Sequence, residues 1–85
     1  MLFVLRFDFL PDQTHKVVEL WKHFRYPPGI QVIGRYVLIG RHTSVAIIDA
    51  PDEESLIKLV GPFSSLGTAR IAPAMRIEDA LKISW

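Results

Sequence analysis

The spacing of hydrophobic positions switches between two residues and three to four along the chain, and each switch marks an element. Over Leu2–Phe9 the period is two: Phe3, Leu5, Phe7 and Phe9 share one face, and Leu2, Val4, Arg6 and Asp8 the other. The first half of this run is apolar on both faces, the pattern of a central strand covered above and below. Pro11 and Asp12 punctuate it. Asp12 is the expected N-cap, because its carboxylate can accept from free first-turn amides. Leu20, Trp21 and Phe24 then follow Val17 at 3, 4 and 7 residues, the stripe of an amphipathic helix. Tyr26-Pro27-Pro28-Gly29 ends that helix, since proline neither continues a helix nor favours helical geometry before itself.

Ile30–Ile39 reads as a second strand, with Val32, Gly34, Tyr36 and Leu38 on one face and Ile33, Arg35, Val37 and Ile39 on the other. Gly34 marks an expected bulge or close approach. The loop Gly40–Ser44 is short enough to make the third strand, Val45–Ala50, antiparallel to the second. Asp52 is placed to cap a second helix, with Glu53 and Glu54 complementing its dipole and Leu56, Leu59, Val60 and Phe63 forming its stripe. Gly61-Pro62 stops it, and Thr68–Met75 forms a fourth strand. Pro73 has no amide to donate, so that strand belongs at an edge or carries a bulge. Glu78–Ile83 suits a last helical turn, and Trp85 is expected to pack against something, the partner chain included.

The order βαββαβ over residues 1–85 predicts one α+β domain of the ferredoxin-like kind: a four-stranded antiparallel sheet, both helices on one face, strands one and three central. The other sheet face is then bare, yet Leu2, Val4, Ile48 and several second-strand residues are assigned apolar groups there. Composition sharpens the problem. The chain is 49% hydrophobic over 85 residues and has no cysteine, so a small core must hide much oil without disulfides. A contiguous apolar patch of that size rarely stays exposed. A homodimer is therefore the expected state.

Charge excludes some classes. A net charge of +1 is no basic footprint for nucleic acid. No apolar run reaches the eighteen residues of a membrane span. The start lacks a charged n-region and a small-residue cleavage site, so a cytoplasmic protein with no membrane partner is the expectation. Asparagine is absent and glutamine scarce, which fits a heat-adapted source.

Four segments carry a resemblance across nearly the whole chain: Met1-Leu2-Phe3-Val4-Leu5, Val32-Ile33-Gly34-Arg35-Tyr36, Ile47-Ile48-Asp49-Ala50-Pro51-Asp52 with Leu56 beyond it, and Arg70-Ile71-Ala72-Pro73. With these the chain resembles the dimeric α/β barrels, and within them a family of short prokaryotic domains of unknown function. The resemblance implies two sheets, one per subunit, joined into a barrel with helices outside. Relatives in that superfamily include cofactor-free and haem-degrading monooxygenases, muconolactone-type isomerases and stress-responsive proteins. No segment here matches a catalytic set from any of them, so no catalytic residue is carried over.

Candidate chemistry is correspondingly thin. His15, Glu19 and His23 stand four residues apart and share one helix face, but three exposed donors without a cavity describe a solvated face better than a metal site. His42 in the hairpin loop reads as a solvent-facing loop residue. Arg6, Asp8, Arg70 and Arg76 carry more weight, because neighbouring first and fourth strands bring them together at the dimer interior. There the arginines suit a carboxylate or phosphate ligand, and Asp8 could act as a general base if desolvation raised its pKa. The blander reading, an ion pair of Asp8 with Arg6 or Arg70 that fixes dimer register, outweighs it. Arg35 and Tyr36 lie on opposite faces of the second strand, and parity alone leaves open which faces the helices. No nucleophile elbow or phosphate loop is present. The expected ligand-binding set is Arg6, Asp8, Tyr36 and Arg70, with no metal and no cofactor. The expected function is a homodimeric binding or regulatory domain with a small-molecule pocket between the sheets. The alternative is a cofactor-independent monooxygenase- or isomerase-like enzyme. A nucleic-acid-binding sheet is weakest, since the first strand's aromatics share the face assigned to the helices.

Overall fold

The computed structural model describes residues 1–84; the packing expected of Trp85 lies outside the described residues. The order is β1 (Leu2–Phe9), α1 (Thr14–His23), β2 (Gln31–Val37), β3 (Thr43–Asp49), α2 (Glu53–Val60), β4 (Gly67–Ala74) and α3 (Ile77–Ala80). The four strands form one sheet in the order β2-β3-β1-β4, and every neighbouring pair is antiparallel. This is the ferredoxin-like arrangement, with β1 and β3 central. Pro73 lies on β4, an edge strand, opposite Phe3, so its missing amide costs no ladder bond on the open side.

The helix-covered face is built on β1. Phe7 and Phe9 are buried with Val17 of α1 and Leu66, and Leu20, Trp21, Phe63 and Ala69 pack around them. Ile48, wholly buried at 0% exposure, pairs with Phe3 and so shares this face. That corrects the expectation placing Ile48 on the bare face: the β1–β3 register puts Val45 and Ile47 there instead, opposite Arg6 and Val4. The register explains the difference. β3 begins at Thr43, opposite Asp8, and from that pairing the alternation carries Ile48 opposite Phe3.

A bulge changes the second strand in the same way. Val32 pairs with Ile48, but Gly34 pairs with Ile47, leaving Ile33 as the extra residue. A bulge at Gly34 was expected. Its consequence was not, because one inserted residue reverses the face of everything on one side of it. Val32 therefore falls on the helix side with Arg35 and Val37, and only Gly34 and Tyr36 keep to the open face.

Capping follows local chemistry at one helix and departs from it at the other. Asp52 Oδ1 accepts from the Ser55 amide at 2.8 Å and from Ser55 Oγ at 2.7 Å, as its place before Glu53-Glu54 predicts. Asp12 is not a cap. Pro11–Gln13 form a 3-10 turn, and α1 starts after Gln13, with Thr14 Oγ1 donating to the Pro11 carbonyl at 2.7 Å. Proline's fixed φ suits a first helical turn, so the turn absorbs Asp12 before α1 begins. The chain leaves β3 through Ala50 and returns to β4 through Gly67. There a side chain would meet the Asp8 carbonyl and lie 2.6 Å from Phe9 Cα. Only glycine fits the close approach of these two strands.

Candidate functional site

The open face of the sheet gathers the charged residues singled out from the sequence. Arg6 and Asp8 are two residues apart on β1 and so point to the same side. Arg6 Nε donates to both Asp8 oxygens, at 3.2 and 3.1 Å, and its Nη2 donates to Oδ1 at 3.2 Å. Thr43 Oγ1, buried at the start of β3, donates to Asp8 Oδ1 at 2.6 Å. Arg70 Nη1 completes the set 3.5 Å from Oδ2, because β4 places Arg70 opposite Arg6. Hydrogen bonds from Thr43 and then Arg6 hold the Asp8 carboxyl below the usual carboxylate range, against the smaller upward pull of desolvation. A general base needs the opposite shift. The donors that surround Asp8 stabilise its charged form, and the cluster is an ion-pair clamp across three strands.

Tyr36 lies in the same transverse row. It pairs with Val45, which pairs with Arg6, which pairs with Arg70. Tyr36 thus stands two strands from Arg6, about 10 Å away at ordinary strand spacing. Its ring lies back over Gly34, whose missing side chain leaves room for the hydroxyl. All four expected residues share one face, and three of them touch. Arg76 does not join them: it follows the end of β4 and pairs with Glu78 at 3.7 Å. Leu2, Val4, Val45 and Ile47 are only partly covered on this face.

The other side holds a feature the sequence reading missed. Between the sheet and the helices is a cavity of about 220 Å³. Its deep end is formed by Phe7 and Leu59, and Trp21 and Phe63 stand among its walls. Its outer end lies along β2, where Val37 is 55% exposed. Arg35, on the helix side of β2, donates from Nη1 to the Tyr26 hydroxyl at 3.4 Å at this end. Edge-to-face ring contacts run from Tyr26 to Phe24 (5.1 Å), Phe24 to Phe63 (5.2 Å) and Phe63 to Phe7 (5.4 Å). That chain of rings ties the Tyr26-Pro27-Pro28 segment to the core and holds Tyr26 beside Arg35. One sequence signal pointed here: Arg35 is the sole charge between Ile30 and Gly40, and a lone charge in an apolar strand marks a site or a partner.

The helix-surface histidines remain apart from both features. Glu19 pairs with Lys22 at 3.3 Å and lies 3.6 Å from His23 Nε2, all of them exposed. Among the described residues no group of three or more histidine or acidic side chains converges on a point. His42 packs its ring edge-to-face on Phe9 at 5.7 Å, closing the sheet end beneath the hairpin. Among the described residues no helix is long and apolar enough to cross a membrane.

No curated protein matches the chain. The family model for a domain of unknown function (DUF3303) matches residues 1–84. That match covers nearly the whole chain, and the chain belongs to this family.

Proposed function

We propose that the protein is a small-molecule-binding domain that works as a homodimer in the cytoplasm, each subunit holding its ligand between its own sheet and helices. The observation that carries this reading is the cavity of about 220 Å³. It is apolar over most of its wall and has hydrogen-bonding side chains converging at one end, the usual make-up of a ligand site. It opens to solvent along β2, where Tyr36 and Val37 are exposed, so a ligand can enter without the core opening.

The dimer supplies cover for the open face. Leu2, Val4, Val45 and Ile47 form a continuous apolar strip there, and a standard interface of about 800 Å² per partner is enough to bury it. The pocket expected between the sheets becomes a seam in this arrangement, lined by Arg6, Asp8, Tyr36 and Arg70. Because Asp8 already has three partners, the seam's charges are suited to setting register between subunits, a known use of paired buried charges.

Sedimentation equilibrium over a hundredfold range of concentration tests the dimer, with Ile47→Glu as the disrupting variant. The wild-type chain sediments at twice its monomer mass, and Ile47→Glu at one. A wild-type monomer throughout refutes the covered face. Filling the cavity with Ala46→Leu, on the helix side of β3, tests the other half. It abolishes ligand-induced changes at the Trp21 ring without changing the sedimenting mass.

A further inference from the structure

We infer that the ligand held beside Arg35 is a small aromatic or compact apolar monocarboxylate, its carboxylate on Arg35 and Tyr26 and its apolar body against Phe7, Trp21 and Phe63. The inference rests on the cavity reading above and goes beyond it by naming the ligand's chemistry. Charge comes first. Among the described residues lining the cavity, Arg35 carries the only charge. Among the described residues no carboxylate lies within 4.0 Å of it: the ion pairs engage Arg6, Arg70 and Arg76 but not Arg35. Among the described residues its one side-chain bond goes to a neutral hydroxyl. A guanidinium at the edge of an apolar space, with most of its five donors unspent, is arranged for an external anion.

Donor geometry narrows the anion. The Tyr26 hydroxyl accepts from Arg35, so its own proton remains free to donate. One edge of the guanidinium and the phenol together turn about three donors toward the cavity, around a single positive charge. That matches the two oxygens and one negative charge of a carboxylate. A phosphate ester brings more charge and asks for more donors than this end of the cavity offers, and no glycine-rich turn adds backbone amides.

Volume and wall chemistry narrow the body. A dry apolar cavity of about 150 Å³ accepts benzene. On that scale about 220 Å³ takes about nine non-hydrogen atoms, the size of benzoate. Phe7 and Phe63 already meet edge-to-face, and Phe9 and Trp21 do so at 5.7 Å. A further ring can join this array in the same geometry.

The test uses the full chain, isotope-labelled, titrated by NMR with benzoate and with its neutral isostere benzamide. The Trp21 indole and the Leu59 and Val60 methyls report on the cavity. Benzoate is expected to shift these signals with a Kd on the order of 1 mM, reasonable for a ligand of this size, and to bind about tenfold more tightly than benzamide. Arg35→Met keeps the apolar stem and removes the charge, so it should erase that preference and leave benzamide unaffected within twofold. Tyr26→Phe, a second variant that keeps the ring contacts, should lower the preference without erasing it. Equal binding of the two probes at the cavity signals overturns the carboxylate assignment and leaves the cavity reading standing. Binding of neither probe overturns both. Shifts from benzoate confined to residues around Arg6 and Arg70 place the anion on the open face and overturn the assignment as well.

Discussion

Gly67→Ala is the sharpest test of the fold that sets these two sites. Gly67 pairs with Phe9 at the end of the β1–β4 ladder, three residues before Arg70 meets Arg6. An added methyl there collides with the Asp8 carbonyl and lies 2.6 Å from Phe9 Cα and 3.0 Å from the Asp8 carbonyl carbon. These are backbone atoms in the central strand, so no rotamer change relieves the contact. Overpacking a tight site costs about 1–3 kcal/mol, and a rigid obstacle puts this substitution near the upper end. A domain of this length has about 4–13 kcal/mol in total at ~0.05–0.15 kcal/mol per residue, so the loss is a large share of it. At about 4–8 °C per kcal/mol, the thermal midpoint should fall by about 10–20 °C. Gly61→Ala is the internal control. Gly61 has helical φ and ψ and nothing beyond its chain neighbours within 4 Å of the added methyl, but Pro62 follows it and disfavours helical geometry under a side chain; that offsets the gain from a stiffer unfolded chain, so alanine should move the midpoint far less than Gly67→Ala. Both midpoints are read by circular dichroism at one protein concentration, because association shifts apparent stability. If Gly67→Ala melts within a degree or two of wild type, β4 does not approach β1 this closely, and the placement of Arg70 beside Asp8 falls with it.

Two further substitutions separate the faces of the sheet. Ile48→Ala removes a wholly buried side chain and should cost about 2–5 kcal/mol at every concentration. Ile47→Ala, one residue away on the open face, should cost an amount that grows with protein concentration if a second copy covers it, and denaturant melts at two concentrations read the difference. Acid stability follows from Asp8 and Asp52. Both carboxyls are held below their ordinary value, Asp8 by Thr43 and then Arg6, and Asp52 by the side-chain and backbone bonds from Ser55. A depressed folded-state pKa contributes stability that is present above the unfolded value and lost as pH falls through the folded one. Stability should therefore drop below about pH 4, and Asp8→Asn with Asp52→Asn should flatten that limb. An unchanged acid limb in the double variant would show that neither bond network survives in solution.

Local chemistry along the chain was enough to determine the element order, the two-sided cover of β1, the edge-or-bulge choice for β4, the Asp52 cap and the bulge near Gly34, while the central place of β3 came from the fold that this element order suits. Apart from that last, each depends on residues within a few positions of one another: period-two alternation, a carboxylate before a helix, a proline without an amide, a glycine in a strand. The pairing of Asp8 with Arg6 and Arg70 was legible too, because neighbouring strands and equal parity bring those positions together. What needed the tertiary structure is everything that turns on register. A single extra residue at Ile33 sends Val32 to the helix side, and the pairing of β3 with β1 puts Ile48 opposite Phe3 under the helices and Val45 and Ile47 on the open face. Parity has a period of two, so a one-residue shift inverts a face while barely altering the hydrophobic pattern. The cavity is hidden for a stronger reason. It is space left between Trp21, Leu59 and Phe63, residues far apart in the chain that each read as ordinary core. The direction of Arg35 toward Tyr26 rather than toward Arg6 is decided only when the sheet, its bulge and the helices are assembled together.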